Sequence, residues 1–182
     1  MKRSLTVVAV LILAVLAGVV GYLYSKQPTR QGQVEVRGLQ GSVTVRYDER
    51  GVPHIRAENE TDLYRALGYV HAQDRLFQME VLRRLSRGEL AEVLGPKLLD
   101  TDKLFRSLRI RERADSYVAG LDRQSPAWKA LEAYLDGINQ YQDSHAAPIE
   151  FDVLGIPKRP FTAEDSISVA GYMAYSFAAA FR

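Results

Sequence analysis

A chain of 182 residues with 24 Lys and Arg against 22 Asp and Glu carries a formal charge of only +2. That balance leaves no basic stripe for a phosphate backbone and argues against a nucleic-acid partner. Cysteine is absent, which excludes disulfides, thiolate metal ligands and a thiol nucleophile from these residues.

Lys2 and Arg3 precede an apolar run from Leu5 to Tyr24, roughly 30 Å long if helical. Basic residues before such a run stay on the cytoplasmic side, so residues 1–24 predict an export signal or inner-membrane anchor and a periplasmic or extracytoplasmic body. Tyr22, Leu23 and Tyr24 interrupt any small-x-small cleavage site, which favours a retained anchor. A core helix fits poorly, because the run has no polar face. Residues 25–33 (SKQPTRQGQ) read as a polar linker, and residues 34–182 as one domain of α+β class, predominantly helical.

Within that domain Val43, Val45 and Tyr47 alternate with Thr44 and Arg46, and residues 48–51 form a turn, which predicts a hairpin with a return strand over 52–57. Pro53 marks an edge position. Two short strands cannot cover both their faces, so they need the helices that follow or strands from another polypeptide. A long amphipathic helix follows from a Thr61 cap to Gly88, with Leu63, Leu67, Val70, Phe77, Val81 and Leu85 along its seam. Asp74 interrupts that seam and needs a partner. Arg83 and Arg84 are candidates, whereas Arg75 is adjacent and is expected to point away.

A short helix over 89–94 stops at Gly95-Pro96, and Asp100 or Thr101 is expected to cap a third long helix through Tyr117. Ser125-Pro126 opens a helix with Trp128, Leu131, Leu135 and Ile138 on one face. Residues 146–161 hold three prolines and read as an ordered connector. Thr162 with Asp165 predicts a capping box. The helix it starts is apolar on nearly every side from Ile167 to Phe181, the pattern of a helix enclosed by neighbours. No cap follows at Arg182, so the expectation is a fragment, or one subunit whose missing part covers the sheet edge and this helix.

His54, His71 and His145 are the three histidines, and none has a metal-ligand spacing. His71 and Asp74 read as a polar pair on one helix, and His54 as a hydrogen-bonded structural residue. No Gly-x-Ser-x-Gly, His-Glu-x-x-His or phosphate loop is present, which argues against a self-contained catalytic site.

The segment GSVTVRYDERGVPHIRAENETDLYRALGYVHAQDRLFQMEVLRRLSRGELAEVLG, residues 41–95, resembles the start of the penicillin acylase family of N-terminal-nucleophile amidohydrolases. The likeness continues more loosely through LDGIN and the PFTAEDS entry to the last helix. It implies a precursor that cuts itself into a small α chain, matched by this sequence, and a larger β chain as heterodimeric partner. It also implies an αββα sandwich completed by that chain and hydrolysis of an N-acyl amide such as a β-lactam side chain or an acyl-homoserine lactone. The catalytic serine and oxyanion donors would all lie on the β chain, leaving no catalytic residue here. A structural calcium would be held mainly by the β chain, and no metal ligand carries over to residues 1–182. From this chain the resemblance places Met173 and Phe177 in the acyl pocket, with Ser176 where penicillin-type members carry arginine. Asp74 and Arg75 belong to the AQDR signature and read as part of a structural ion-pair network. The alternative is a membrane-tethered binding or assembly module without catalysis.

Overall fold

The computed structural model of the chain describes residues 2–28 and 30–181, and within these the side chains from residue 10 onward. Helix α1 covers Lys2–Ser25. A hairpin of β1 (Thr44–Tyr47) and β2 (Pro53–Arg56) follows, and then α2 (Glu60–Arg87), α3 (Ala91–Leu94), a 3-10 turn at Pro96–Leu98, α4 (Leu99–Ser107), α5 (Ile110–Ala119), α6 (Pro126–Ser144), α7 (Ile149–Leu154) and α8 (Ala163–Ala180). The fold is mostly helical, and among the described residues the hairpin is the only sheet.

The hairpin is antiparallel, pairing Val45 with Ile55 and Tyr47 with Pro53, so the proline falls at the strand end where a missing donor costs least. Asp48 shapes its turn by accepting from the Arg50 and Val52 amides, both at 2.9 Å. The N-cap of α2 lies two residues before the expected Thr61. Asn59 is the N-cap, its side chain accepting from the Asp62 amide at 2.8 Å. Gly88 closes the helix in the left-handed region at φ 66°, as read from the sequence. The expected third helix is two, α4 and α5, because Arg109 turns left-handed at φ 55° between them. Neither Asp100 nor Thr101 caps α4. Asp102 instead reaches back to the Leu90 and Ala91 amides at 2.9 and 2.8 Å and secures the start of α3. Ser125 caps α6, the connector folds its own helix α7, and the Thr162–Asp165 capping box forms as expected.

Helices α2 and α6 cross at backbone distance. A Cβ on Gly68 would stand 1.9 Å from the Tyr134 carbonyl oxygen, and one on Gly137 would stand 1.9 Å from that of Arg65. The buried face of α2 is set by this crossing and runs through Ala66, Tyr69, Ala72, Leu76 and Glu80. Of the expected seam only Val70 is buried, while Leu63, Leu67, Phe77, Val81 and Leu85 are half-buried or exposed, because the crossing selects small residues where a periodicity argument seeks large ones. Tyr69, Leu76, Ile138, Tyr141, Phe151, Ile156 and Phe161 form one core with Val118 of α5.

Two carboxylates tie the frame together. Asp62 is buried and accepts from the amides of Gln40 and Gly41 at 3.0 and 2.9 Å and from Asn59 Nδ2 at 2.8 Å, pinning the segment before the hairpin to the start of α2. Burial pushes its carboxyl up, but the donors of Gln40, Asn59 and Gly41, with Arg65 beyond, outweigh that and leave it below its ordinary value. Glu80, with no exposed surface, pairs with Arg83 and with Arg84 at 2.6 Å. Arg83 and Arg87 reach on to Asp165 at 3.4 and 2.8 Å, which joins α2 to the first turn of α8.

Asp74 therefore takes neither Arg83 nor Arg84. It is partly exposed and pairs with Arg30 at 3.1 Å and with Arg75 at 2.8 Å. Arg75 was expected to point away, but its own backbone leaves the helix (φ −133°, ψ 18°) and carries the guanidinium round to its neighbour. Among the described residues no helix is long and apolar enough to cross a membrane. The anchor reading of residues 5–24 falls partly outside the described side chains, which begin at Val10.

Two outcomes follow from this frame. Gly137→Ala should cost on the order of 3 kcal/mol, since backbone and not a flexible side chain occupies the space, and chemical denaturation of the purified protein measures it. Asp62 has a lowered folded-state pKa, so its stabilisation is complete above an unfolded-chain value of about 3.9 and is lost as pH falls through the lower folded one. The stability advantage of the wild-type protein over Asp62→Asn should be full at pH 6 and shrink below about pH 4, which denaturation midpoints across that range would show.

Candidate functional site

Helix α8 carries the sequence-predicted site residues, and its placement is fixed from its first turn. The Thr162 side chain accepts from the Asp165 amide while the Asp165 carboxylate accepts from the Thr162 amide and from Arg87. Asn139 on α6 brackets the approach to the helix, accepting from the Phe161 amide at 2.8 Å and donating to its carbonyl at 3.0 Å. Farther along, Tyr172 and Tyr175 meet Phe105 of α4 edge-on, with ring centroids 5.5 and 5.7 Å apart. Gly171 admits Ile110 of α5 so closely that a Cβ would lie 2.9 Å from Cγ2. These contacts lock both rotation and translation of the helix.

The opposite face is open. Met173 is 51% exposed and Phe177 65%, one turn apart on the same side, and Phe181 beyond them is also exposed. The helix is buried at Ala163, Asp165 and Ser168 but not on all sides as its composition predicts, because no described residue packs against its outer face from Met173 onward. Ser176 donates to the Tyr172 carbonyl at 3.0 Å, so its proton stays on its own helix.

Two cavities flank α8. One of about 640 Å³ lies against α5, lined by Ile110, Ala114, Tyr117, Ile167 and Gly171. The other, about 530 Å³, lies between α2, α6 and α8, with His71, Arg75, Met79, Tyr134 and Val169 on its walls. Met173 and Phe177 line neither of them.

No histidine forms the pair with Asp74 that spacing suggests. His71 Nδ1 instead lies 2.5 Å from the Tyr134 hydroxyl. Desolvation lowers the His71 pKa, with Arg75 adding to it and Asp74 opposing, which keeps the ring neutral at pH 7. His54 sits 3.3 Å from Asp48 in the hairpin, the structural role expected of it. His145 stacks on Tyr141 with centroids 4.4 Å apart, and the adjacent Ser144 donates to the Gln140 carbonyl at 2.6 Å. Among the described residues no group of three or more His, Asp or Glu is placed to hold a metal ion. Among the described residues, what α8 presents outward is an exposed apolar face at Met173, Phe177 and Phe181. Glu80 escaped sequence reasoning, although its spacing to Arg83 and Arg84 is that of helical ion pairs.

The penicillin amidase family profile matches residues 42–182. The chain is 41% identical over 150 residues to the penicillin acylase 2 proenzyme of Pseudomonas sp. strain SE83, covering 81% of this chain and 19% of that protein. It is 32% identical over 153 residues to the acyl-homoserine lactone acylase QuiP of Pseudomonas aeruginosa, covering 83% and 18%. Among solved structures, a thermostable penicillin G acylase from Alcaligenes faecalis superposes with a TM-score of 0.63 at 32% identity, over 75% of this chain and 74% of that one. The chain thus spans about a fifth of the length of the curated relatives it matches. With most of its sequence inside the family profile and its helical frame shared with a solved member, this chain belongs to the penicillin amidase family.

Proposed function

We propose that the chain is the α-subunit part of an exported acylase that hydrolyses a linear amide C–N bond, and that Met173 and Phe177 line its acyl pocket. The observation that carries this reading is the coincidence of a family match over residues 42–182 with an open apolar face on α8 at those two residues. An apolar face held rigidly from behind is what an acyl group needs, since recognition of a hydrocarbon is area burial against a preformed surface.

In this reading a β chain from the same precursor covers α8, completes the sandwich and brings an N-terminal serine. The serine hydroxyl attacks the amide carbonyl as its own α-amino group takes the proton, the amine departs, and water then releases the acid. A structural calcium belongs mainly to the β chain. Ser176, its proton held by Tyr172, leaves the pocket without an outward donor at that position. Relatives named for penicillin and for acyl-homoserine lactones keep both substrate classes open. The non-catalytic tether has no observation in its favour.

The full-length precursor should appear by mass spectrometry as two chains and release carboxylic acid from a panel of N-acyl amides. Absence of turnover across that panel, with both chains present, would refute the hydrolase assignment. Phe177→Ala should change the ratio of kcat/KM between short aromatic and long aliphatic acyl groups by about 10-fold or more with little change in melting temperature. A uniform loss across substrates together with a lower melting temperature would make Phe177 a packing residue.

A further inference from the structure

The cavity of about 530 Å³ between α2, α6 and α8 is not explained by the acyl face, whose Met173 and Phe177 stand outside it. Its floor is apolar, made by Met79, Leu82, Ile138, Phe161 and Val169. The polar side chains on its walls divide unevenly between donors and acceptors. Tyr134 and His71 satisfy each other through the 2.5 Å contact at Nδ1. A phenol is the better donor of the two, so a neutral imidazole that takes this proton at Nδ1 carries its own hydrogen on Nε2. Arg75 commits Nε to Asp74 at 2.8 Å, and among the described residues its two Nη groups have no partner. The Gln78 amide lies on the same wall, exposed and without a hydrogen bond among the described residues.

The acceptors, by contrast, are taken. Asp165 gives one oxygen to Arg87 at 2.8 Å and the other to Arg83 and the Thr162 amide. Ser166 directs its proton to the Thr162 carbonyl at 3.5 Å. Asp74, which would oppose an anion nearby, is balanced by Arg30 and Arg75. A cavity with spare donors, no spare carboxylate and an apolar floor matches a molecule with the opposite set, acceptors at one end and hydrocarbon along the rest. Among acceptors a carboxylate suits three such donors best, because charge-assisted hydrogen bonds are roughly twice as strong as neutral ones. Met79, unbranched and adaptable, lets the floor fit an alkyl chain.

We propose that this cavity binds a medium-chain aliphatic carboxylate, its head group taken by His71, Arg75 and Gln78 and its chain laid over Met79, Leu82 and Val169. The site is separate from the acyl face and does not rest on the acylase reading. Val169 precedes Met173 by four positions on one face of α8, so the two sites share that helix as a wall.

Octanoate is the probe, titrated calorimetrically into the full-length processed protein. Saturable binding is expected, with octanol about 10-fold weaker for want of the charged head group. His71→Phe and Gln78→Leu should each weaken octanoate by about 10-fold. Gln78→Leu alters an exposed residue without a side-chain partner, so it tests the site without touching the fold, and an unchanged melting temperature checks this. Phe177→Ala should leave octanoate affinity unchanged. No saturable binding, equal affinity for octanol, or affinity that survives both cavity replacements overturns the proposal. Loss of binding in Phe177→Ala places the octanoate on the acyl face and overturns it as well. Amide hydrolysis by the same preparation is measured separately and bears only on the acylase reading.

Discussion

The carboxylate of Glu80 is sealed from water, and that single fact organises most of the frame. An ionised group without solvent is stable only where its partners satisfy it, and removing a partner from such a pair typically costs several kcal/mol. Arg83 and Arg84 fill that requirement from the same helix. Their side chains are thereby committed to the interior, and Arg83 then lies across Phe161, 4.1 Å from the ring centroid, and donates to the Pro160 carbonyl at 3.0 Å. Through Asp165 the same charges fix where α8 begins. Glu89 belongs to the periphery of this cluster. Burial raises its pKa, but Arg87 and Arg159 outweigh burial and hold it below the ordinary carboxylate value.

How much of this could be read from the residues depends on the range of the interaction involved. The hairpin, the Ser125 cap, the Gly88 stop and the Thr162–Asp165 box are local: each is decided by two or three neighbours along the chain, and each appears where the sequence puts it. The break at Arg109 is not local in that sense. A left-handed non-glycine residue costs roughly 1–2 kcal/mol by itself and is tolerated because α5 must turn to lay Ile110 against Gly171, a partner sixty-one positions away. The buried face of α2 was misread for a similar reason. Glycines that allow a backbone crossing leave no hydrophobic signature, and a charged hub reads in sequence as an exposed stripe.

The candidate site was legible in a different way. Spacing alone puts Met173 and Phe177 on one helical face, and the structure keeps them together. Spacing says nothing about what that face meets, and the apolar composition of α8 suggested enclosure on every side. Its supports, Phe105, Ile110 and Arg87, come from three separate elements and close on one side only. Asp74 shows the same limit from the polar side. Its need for a partner was evident, but Arg30 lies outside the helical domain read from the sequence and could not have been named.

The ionic clamp on α8 and its bare apolar face are separated along the helix axis. Asp165 precedes Met173 by eight positions, about 12 Å at the helical rise. Replacements at the outer positions therefore leave the clamped turn untouched. Such a layout lets side chains at the exposed end of the helix be exchanged while foldability is guarded at its root.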